Sequence, residues 1–270
     1  MGTSETRGPE RAVDPRLIPS VLLPVGVVAS LLVIWELMAR SGLLPGILFS
    51  SPTTVFATLF DSLRSGEMFG HVTATLARMI PGLLLGAIPG LLLGLAMGSS
   101  SRLRRALDPL LMMIHPIPKI AILPLLMIFL GIGEASRIAV AAIAAFFPML
   151  INTMAGVQQI NPVYFEVAQN YGANRTKLLT GVVLPGSLPM ALSGLRLAAN
   201  VTLLVTISAE IVMANEGLGS LVWLAWETLR VELLYATLIV ISLLGISISM
   251  GLRWLHRRLA PWQRAQEARR

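Results

Sequence analysis

Six stretches of mostly apolar residues, each about 20 long, constrain the fold of this chain more than any other feature, since that is the length a helix needs to cross the hydrocarbon core of a bilayer. They cover residues 17–39, 76–98, 107–130, 138–157, 194–214 and 234–255. In lipid every backbone polar group has to be satisfied within its own segment, so runs of this length read as helices. Only 13% of the 270 residues are charged, and mean hydropathy is +0.75. A soluble domain carries about 25% charged residues to wet its surface, so this composition excludes a soluble enzyme. The apolar content also excludes a disordered chain. Cysteine is absent, which removes disulfides, thiolate metal sites and a cysteine nucleophile. The expectation is an all-α integral membrane protein of six transmembrane helices, with a transmembrane domain over 17–257 between tails at 1–16 and 258–270.

The net charge of +7 is a topology signal, because the basic residues cluster beside the ends of the apolar runs. Arg7, Arg11 and Arg16 lie in the first tail, Arg102, Arg104 and Arg105 in the second loop, and Arg175 and Lys177 in the fourth loop. Arg253, Arg257, Arg258, Arg264, Arg269 and Arg270 follow the last run. The opposite loops hold only Arg40, Arg64, Arg137 and Arg230. Positive residues stay in the cytoplasm, so both tails and the fourth loop are expected there. The first run is too long for a signal peptide and no small-residue cleavage site follows it. A myristoylation-like start at Gly2 and a glycosylation-like Asn174-Arg175-Thr176 are short enough to arise by chance.

Two outer segments carry structure of their own. Ser51-Pro52 is a helix-start signal, and Val55, Phe56, Leu59, Phe60 and Leu63 follow at helical spacing, which predicts a short interfacial helix. Residues 215–233 combine Gly217-Leu218-Gly219 with Trp223 and Trp226. These tryptophans fit an interfacial belt, or alternatively a docking surface for an extracytoplasmic partner.

The cytoplasmic loop 158–193 is long, and loops of that length usually carry function. Asn161-Pro162 opens a helix over 163–171, Gly172 ends or bends it, and a second helical piece over 174–183 is expected to stop at Pro185 and Pro189. Two short helices joined at a glycine make a knob that can seat in a partner's cleft. Glu166-Val167-Ala168, Gly172 six residues after the Glu, and Val182-x-Leu184-Pro185 resemble the EAA loop of ATP-binding-cassette importer permeases. That loop reads EAA, three residues, G, nine residues, then I-x-L-P. The departures are Val167 for Ala and Val182 for Ile.

Softer motifs extend the resemblance over nearly the whole chain. They are Phe49-Ser50-Ser51-Pro52, the run from Ile117 to Pro124, Gly131-Ile132-Gly133-Glu134-Ala135, Phe147-Pro148 with Asn152-Thr153, and Gly217-Leu218-Gly219. They are similar to the subfamily importing nitrate, sulfonates and taurine, in which other members carry bicarbonate or vitamin and pyrimidine precursors. The resemblance implies a MetI-like type I importer permease in a bacterial inner membrane. It also implies a second copy of the permease, two cytoplasmic ATP-binding-cassette subunits and an extracytoplasmic binding protein. Glu166, Val167, Ala168 and Gly172 would then form the coupling helix, and Val182, Leu184 and Pro185 its exit. ATP and Mg would be held by the partner ATPase. The chain itself has no phosphate-binding G-x-x-x-x-G-K-[ST] sequence. His71, His115 and His256 form no metal-ligand spacing, and no nucleophile–base set is evident. No catalytic residue, metal, cofactor or nucleic-acid partner is assigned.

The third run is the candidate translocation segment. Pro109, Pro116, Pro118 and Pro124 predict a break, and exposed backbone is tolerated at membrane depth only beside protein or water. Lys119 sits at that break, where an ionisable side chain costs about 2.5–3.5 kcal/mol. It either offers positive potential to an anion or pairs with Glu210, and both readings stand. Asn152, with Pro116, Pro118, Lys119 and Glu210, completes the candidate pathway set. Gly82, Gly86, Gly90, Gly94 and Gly98, spaced by four, permit close helix approach, either within the chain or at a dimer seam. Pro81 and Pro89 predict a bend in the same helix. A gradient-driven transporter is the alternative class, but Glu36 and Glu210 are the only acidic residues well inside runs, and two similar halves are not evident.

Overall fold

A computed structural model describes residues 22–41, 49–213 and 215–260 of the chain. The order is α1 (Leu22–Arg40), α2 (Pro52–Arg64), α3 (Glu67–Ser99), α4 (Ser101–Ile114), a 3-10 turn (Lys119–Ile122) and α5 (Leu123–Leu130). Then follow α6 (Glu134–Gln158), α7 (Pro162–Asn170), α8 (Arg175–Leu178), a π turn (Leu179–Val183), α9 (Leu184–Met213), α10 (Leu218–Glu227) and α11 (Val231–Leu259). The expected tail 1–16, the start of the first run and residues 261–270 lie outside the described residues.

Four helices are long and apolar enough to cross a membrane: α3, α6, the rod Arg175–Met213, and α11. A fifth is reached if α4 and Lys119–Leu130, bent by 86° against each other, count as one crossing. The expected third span is therefore two helices at nearly a right angle. Pro116 and Pro118 lack amide hydrogens and push the residues before them out of helical geometry.

One expectation fails at the end of the fourth loop. Pro185 and Pro189 do not stop the helix: α8, the π turn and α9 continue as one rod of 39 residues. The π turn is the reason. The Leu184 amide reaches back five residues to the Leu179 carbonyl, so the register has already shifted where Pro185 enters, and π turns inside helices accommodate such shifts. Helix α3 likewise runs through Pro81 and Pro89 without interruption.

The core is a three-helix layer in which α6 lies between α3 and α9. The glycines of α3 dictate this closeness. A Cβ built on Gly86 would sit 2.0 Å from the Ala142 carbonyl oxygen, one on Gly90 2.6 Å from the Phe146 oxygen, and one on Gly94 2.7 Å from the Leu150 oxygen. At Gly82 and Gly98 the obstacles are the Ala141 and Val157 side chains, at 2.6 and 2.5 Å. On the α6 side Ala141, Ala144 and Ala145 are buried, so small residues meet small residues. Gly156 and Gly194 do the same between α6 and α9. The five-glycine stripe thus faces α6 of its own chain.

Helix α2 starts as its sequence dictates, with the Ser51 hydroxyl accepting from the Thr54 amide and Pro52 in the first turn. Val55 is buried, whereas Phe56, Phe60 and Leu63 are exposed. Glu36 near the end of α1 ties the two helices together: it accepts from the Thr53 amide (3.1 Å) and hydroxyl (2.9 Å) and pairs with Arg40. Trp35 packs on Tyr235 of α11 with ring centroids 5.3 Å apart.

Candidate functional site

The loop 158–193 folds into a knob. Asn161 caps α7 by accepting from the Val163 amide, and Asn174 caps α8 by accepting from the Lys177 amide (2.9 Å). Between them Gly172 takes φ +71°. The Ala173 amide donates to the Ala168 carbonyl and the Gly172 amide to Gln169, both at 2.9 Å, which closes the helix in a glycine-dependent cap. One face of α7 is anchored, because Phe165 packs against Leu95, Val157 and Val183. The other face is bare: Val163, Tyr164, Val167 and Tyr171 are exposed, Tyr171 at 88%. Glu166 and Gly172 are exposed and Ala168 is half-buried. Val182 lies in the π turn, and Leu184 and Pro185 open α9. A knob anchored through Phe165 to α3, α6 and the rod passes any push on its bare face to three long helices.

The second region is the break between α4 and α5. Lys119 Nζ donates to the carbonyls of His115 (2.6 Å) and Ile117 (2.9 Å) and lies 4.5 Å from the centre of the Phe147 ring of α6. The prolines free these carbonyls at the end of α4, and the ammonium takes them up, which is a favourable place for a cation. Lys119 therefore staples the break. It does not pair with Glu210.

Glu210 is instead fully buried at the other end of the core, in a cluster that sequence reasoning missed. Arg78 of α3 donates to Glu210 (2.8 Å) and to the Glu216 carbonyl (2.6 Å), and holds Glu134 of α6 at 2.6 and 2.9 Å. The Thr75 hydroxyl and the Gly219 amide also donate to Glu210, each at 2.9 Å, and Arg137 pairs with Glu134 at 2.7 Å. The Leu218 amide donates to Thr75 Oγ1, and His71 Nδ1 lies within hydrogen-bond distance of both the Gly217 amide and carbonyl. A Cβ on Gly217, whose φ is +122°, would lie 2.4 Å from the Glu210 carboxyl carbon, and one on Gly219 2.2 Å from the Ile207 oxygen. Gly217-Leu218-Gly219 is thus shaped to let the backbone reach this carboxylate. The signal available in the sequence was Arg78 itself, a charge inside an apolar run, at a height matching Glu210.

Asn152 lies where α6 meets α9, with its amide donating to the Pro148 carbonyl at 2.8 Å and its Cβ against Gly194. The structure does not assemble the five candidate pathway residues into one site: Pro116, Pro118 and Lys119 form the break, while Glu210 belongs to the Arg78 cluster. Trp223 and Trp226 are exposed on α10, with ring centroids 4.9 Å apart. Among the described residues no three His, Asp or Glu side chains are grouped to hold a metal.

Known proteins resemble this chain along almost its whole length. The taurine transport system permease protein TauC of Escherichia coli (strain K12) is 35% identical over 247 residues, covering 90% of each chain. The bicarbonate transport system permease protein CmpB of Synechococcus elongatus is 32% identical, covering 89% of this chain and 90% of its own. A chain of the MetNI methionine ABC transporter, solved in inward-facing conformations, matches the fold with a TM-score of 0.61 at 18% identity. That match covers 70% of this chain and 94% of the MetNI chain. Residues 71–265, from His71 of the buried cluster through the knob to α11, match the family of binding-protein-dependent transport system inner membrane components, and the chain belongs to that family.

Proposed function

We propose that this chain forms the translocation pathway of an ATP-driven importer for a small anion of the taurine, sulfonate or nitrate class. The observation that carries the reading is the family match together with relatives named for taurine and bicarbonate transport. Six helices cross the membrane, with α1 and the bent α4–α5 pair added to the four long helices. Both termini and the knob lie in the cytoplasm, on the side of the arginine-rich loops. Two copies of the chain sit side by side. Each seats α7 in a cytoplasmic ATP-binding-cassette subunit that binds ATP and Mg, and a binding protein delivers the anion from outside.

The bare apolar face of α7 supports the seat. Exposed Tyr and Val side chains on a projecting helix mark an interaction surface, and Glu166 lies beside them. When the ATPase subunits close, the anchored knob carries the displacement into the rod, α3 and α6. Lys119 at the break supplies positive potential to the anion while holding the helix ends together. Lys119→Met is expected to lower uptake severalfold in proteoliposomes while the complex still assembles; unchanged uptake by a fully assembled complex would remove Lys119 from the pathway. The substrate class is read by adding radiolabelled taurine, an alkanesulfonate, nitrate or bicarbonate with the cognate binding protein. Uptake of one of these anions that depends on ATP supports the importer, and uptake driven by an ion gradient alone would overturn it.

A further inference from the structure

Among the described residues, Arg196 is a guanidinium whose hydrogen bonds are incomplete. Arg196 lies on α9, and among the described residues its side chain has one hydrogen-bond partner, His256 of α11, through Nη2 at 3.4 Å. Its Nε is buried without any acceptor. Among the described residues no carboxylate forms an ion pair with it; the described ion pairs involve Arg40, Arg78, Arg137 and Arg230. Such a guanidinium is under-satisfied, and because the side chain as a whole is only half-buried, its terminal nitrogens are left to make charge-assisted hydrogen bonds to an oxyanion.

The surroundings identify the oxyanion. His256 lies in the last turn of α11, and Arg196, near the middle of α9, meets it there, away from the Arg78 cluster. Arg253 lies one turn before His256 and Arg257 directly after it. Both are exposed and outside every described ion pair. Arg258 stacks over Trp254, with its guanidinium carbon 5.2 Å from the ring centre. Trp and Arg together mark the headgroup level of a bilayer. The neighbouring Asn200 and Ser249 side chains already bond each other at 3.1 Å in the same helix seam.

We propose that Arg196, with Arg253 and Arg257, binds the phosphate of an anionic phospholipid at this end of the α9–α11 seam. The lipid phosphodiester accepts from the Arg196 fork, and the two exposed arginines favour a headgroup of net negative charge. Placing the lipid in the cytoplasmic leaflet rests on the orientation proposed above; the binding itself does not, nor does it depend on which anion is transported.

The test uses the full-length protein purified in detergent and native mass spectrometry with phosphatidylglycerol or phosphatidylcholine. Wild type is expected to retain phosphatidylglycerol preferentially, and Arg196→Gln or Arg257→Gln to lower that preference by about fivefold, the fold-change expected for one arginine near an anionic headgroup. An equal preference in wild type and both variants would overturn the site, as when an acidic side chain of this chain satisfies Arg196. Displacement of the lipid by inorganic phosphate at about 10 mM would assign the site to a free anion and overturn the lipid proposal, because lipid retention through counter-charge and acyl burial survives such competition. Should Arg196→Gln fail to fold, Arg253→Gln and Arg257→Gln, both exposed, carry the same comparison.

Discussion

Replacing Arg78 with glutamine is expected to cost about 3–5 kcal/mol of stability, the loss that follows when one partner of a buried ion pair is removed and the other charge stays behind. Glu210 is fully buried and its carboxylate lies 2.8 Å from Arg78, so the variant leaves an uncompensated anion in the core. Thr75 and the Gly219 amide still donate to it, but they cannot neutralise it. The double variant Arg78→Gln, Glu210→Gln should recover part of the loss, because the orphaned charge is gone. Glu134→Gln should cost much less, since that side chain is 55% exposed. Thermal unfolding in detergent, followed by size-exclusion chromatography, reads all three. An Arg78→Gln protein as heat-resistant as wild type would show that the cluster contributes little to the fold.

The second large effect is expected at the α3–α6 contact. Gly86→Ala places a methyl group 2.0 Å from the Ala142 carbonyl oxygen, and backbone cannot rotate out of the way as a side chain can. The helices must separate, at a cost in the range of about 1–3 kcal/mol typical of overpacking, or more. Gly98→Ala meets only the Val157 side chain and should be milder. Gly181→Ala, in open space, serves as the control and should leave the unfolding temperature unchanged. Equal unfolding temperatures for Gly86→Ala and Gly181→Ala would contradict the close packing described here.

What the sequence makes legible follows from how local each feature is. The caps at Ser51, Asn161 and Asn174, the glycine stop at Gly172 and the proline break before Lys119 all depend on residues within a turn of one another, and all are visible before any fold is known. The EAA-like spacing of the knob is equally local. The Arg78 cluster was hidden because its members come from α3, α6, α9 and the Gly217 turn, and only packing brings them together. The same limit explains Lys119: sequence offered an anion or Glu210 as its partner, whereas its hydrogen bonds go to carbonyls freed by its own prolines. The continuation through Pro185 was missed for a different reason. A π turn shifts the hydrogen-bond register without any residue type that announces it.

In the function proposed for this chain, the knob couples it to an ATPase. The most direct test is the ATP hydrolysis rate of the reconstituted complex, with the binding protein and a panel of taurine, an alkanesulfonate, nitrate and bicarbonate, comparing wild type with Glu166→Arg. Glu166 is exposed on α7 and its side chain makes no described hydrogen bond or ion pair, so the substitution should leave the fold intact. One anion is expected to stimulate hydrolysis in wild type, and Glu166→Arg to abolish the stimulation. Stimulation of equal size in both proteins, or a purified chain with which no ATPase associates, would contradict the coupling.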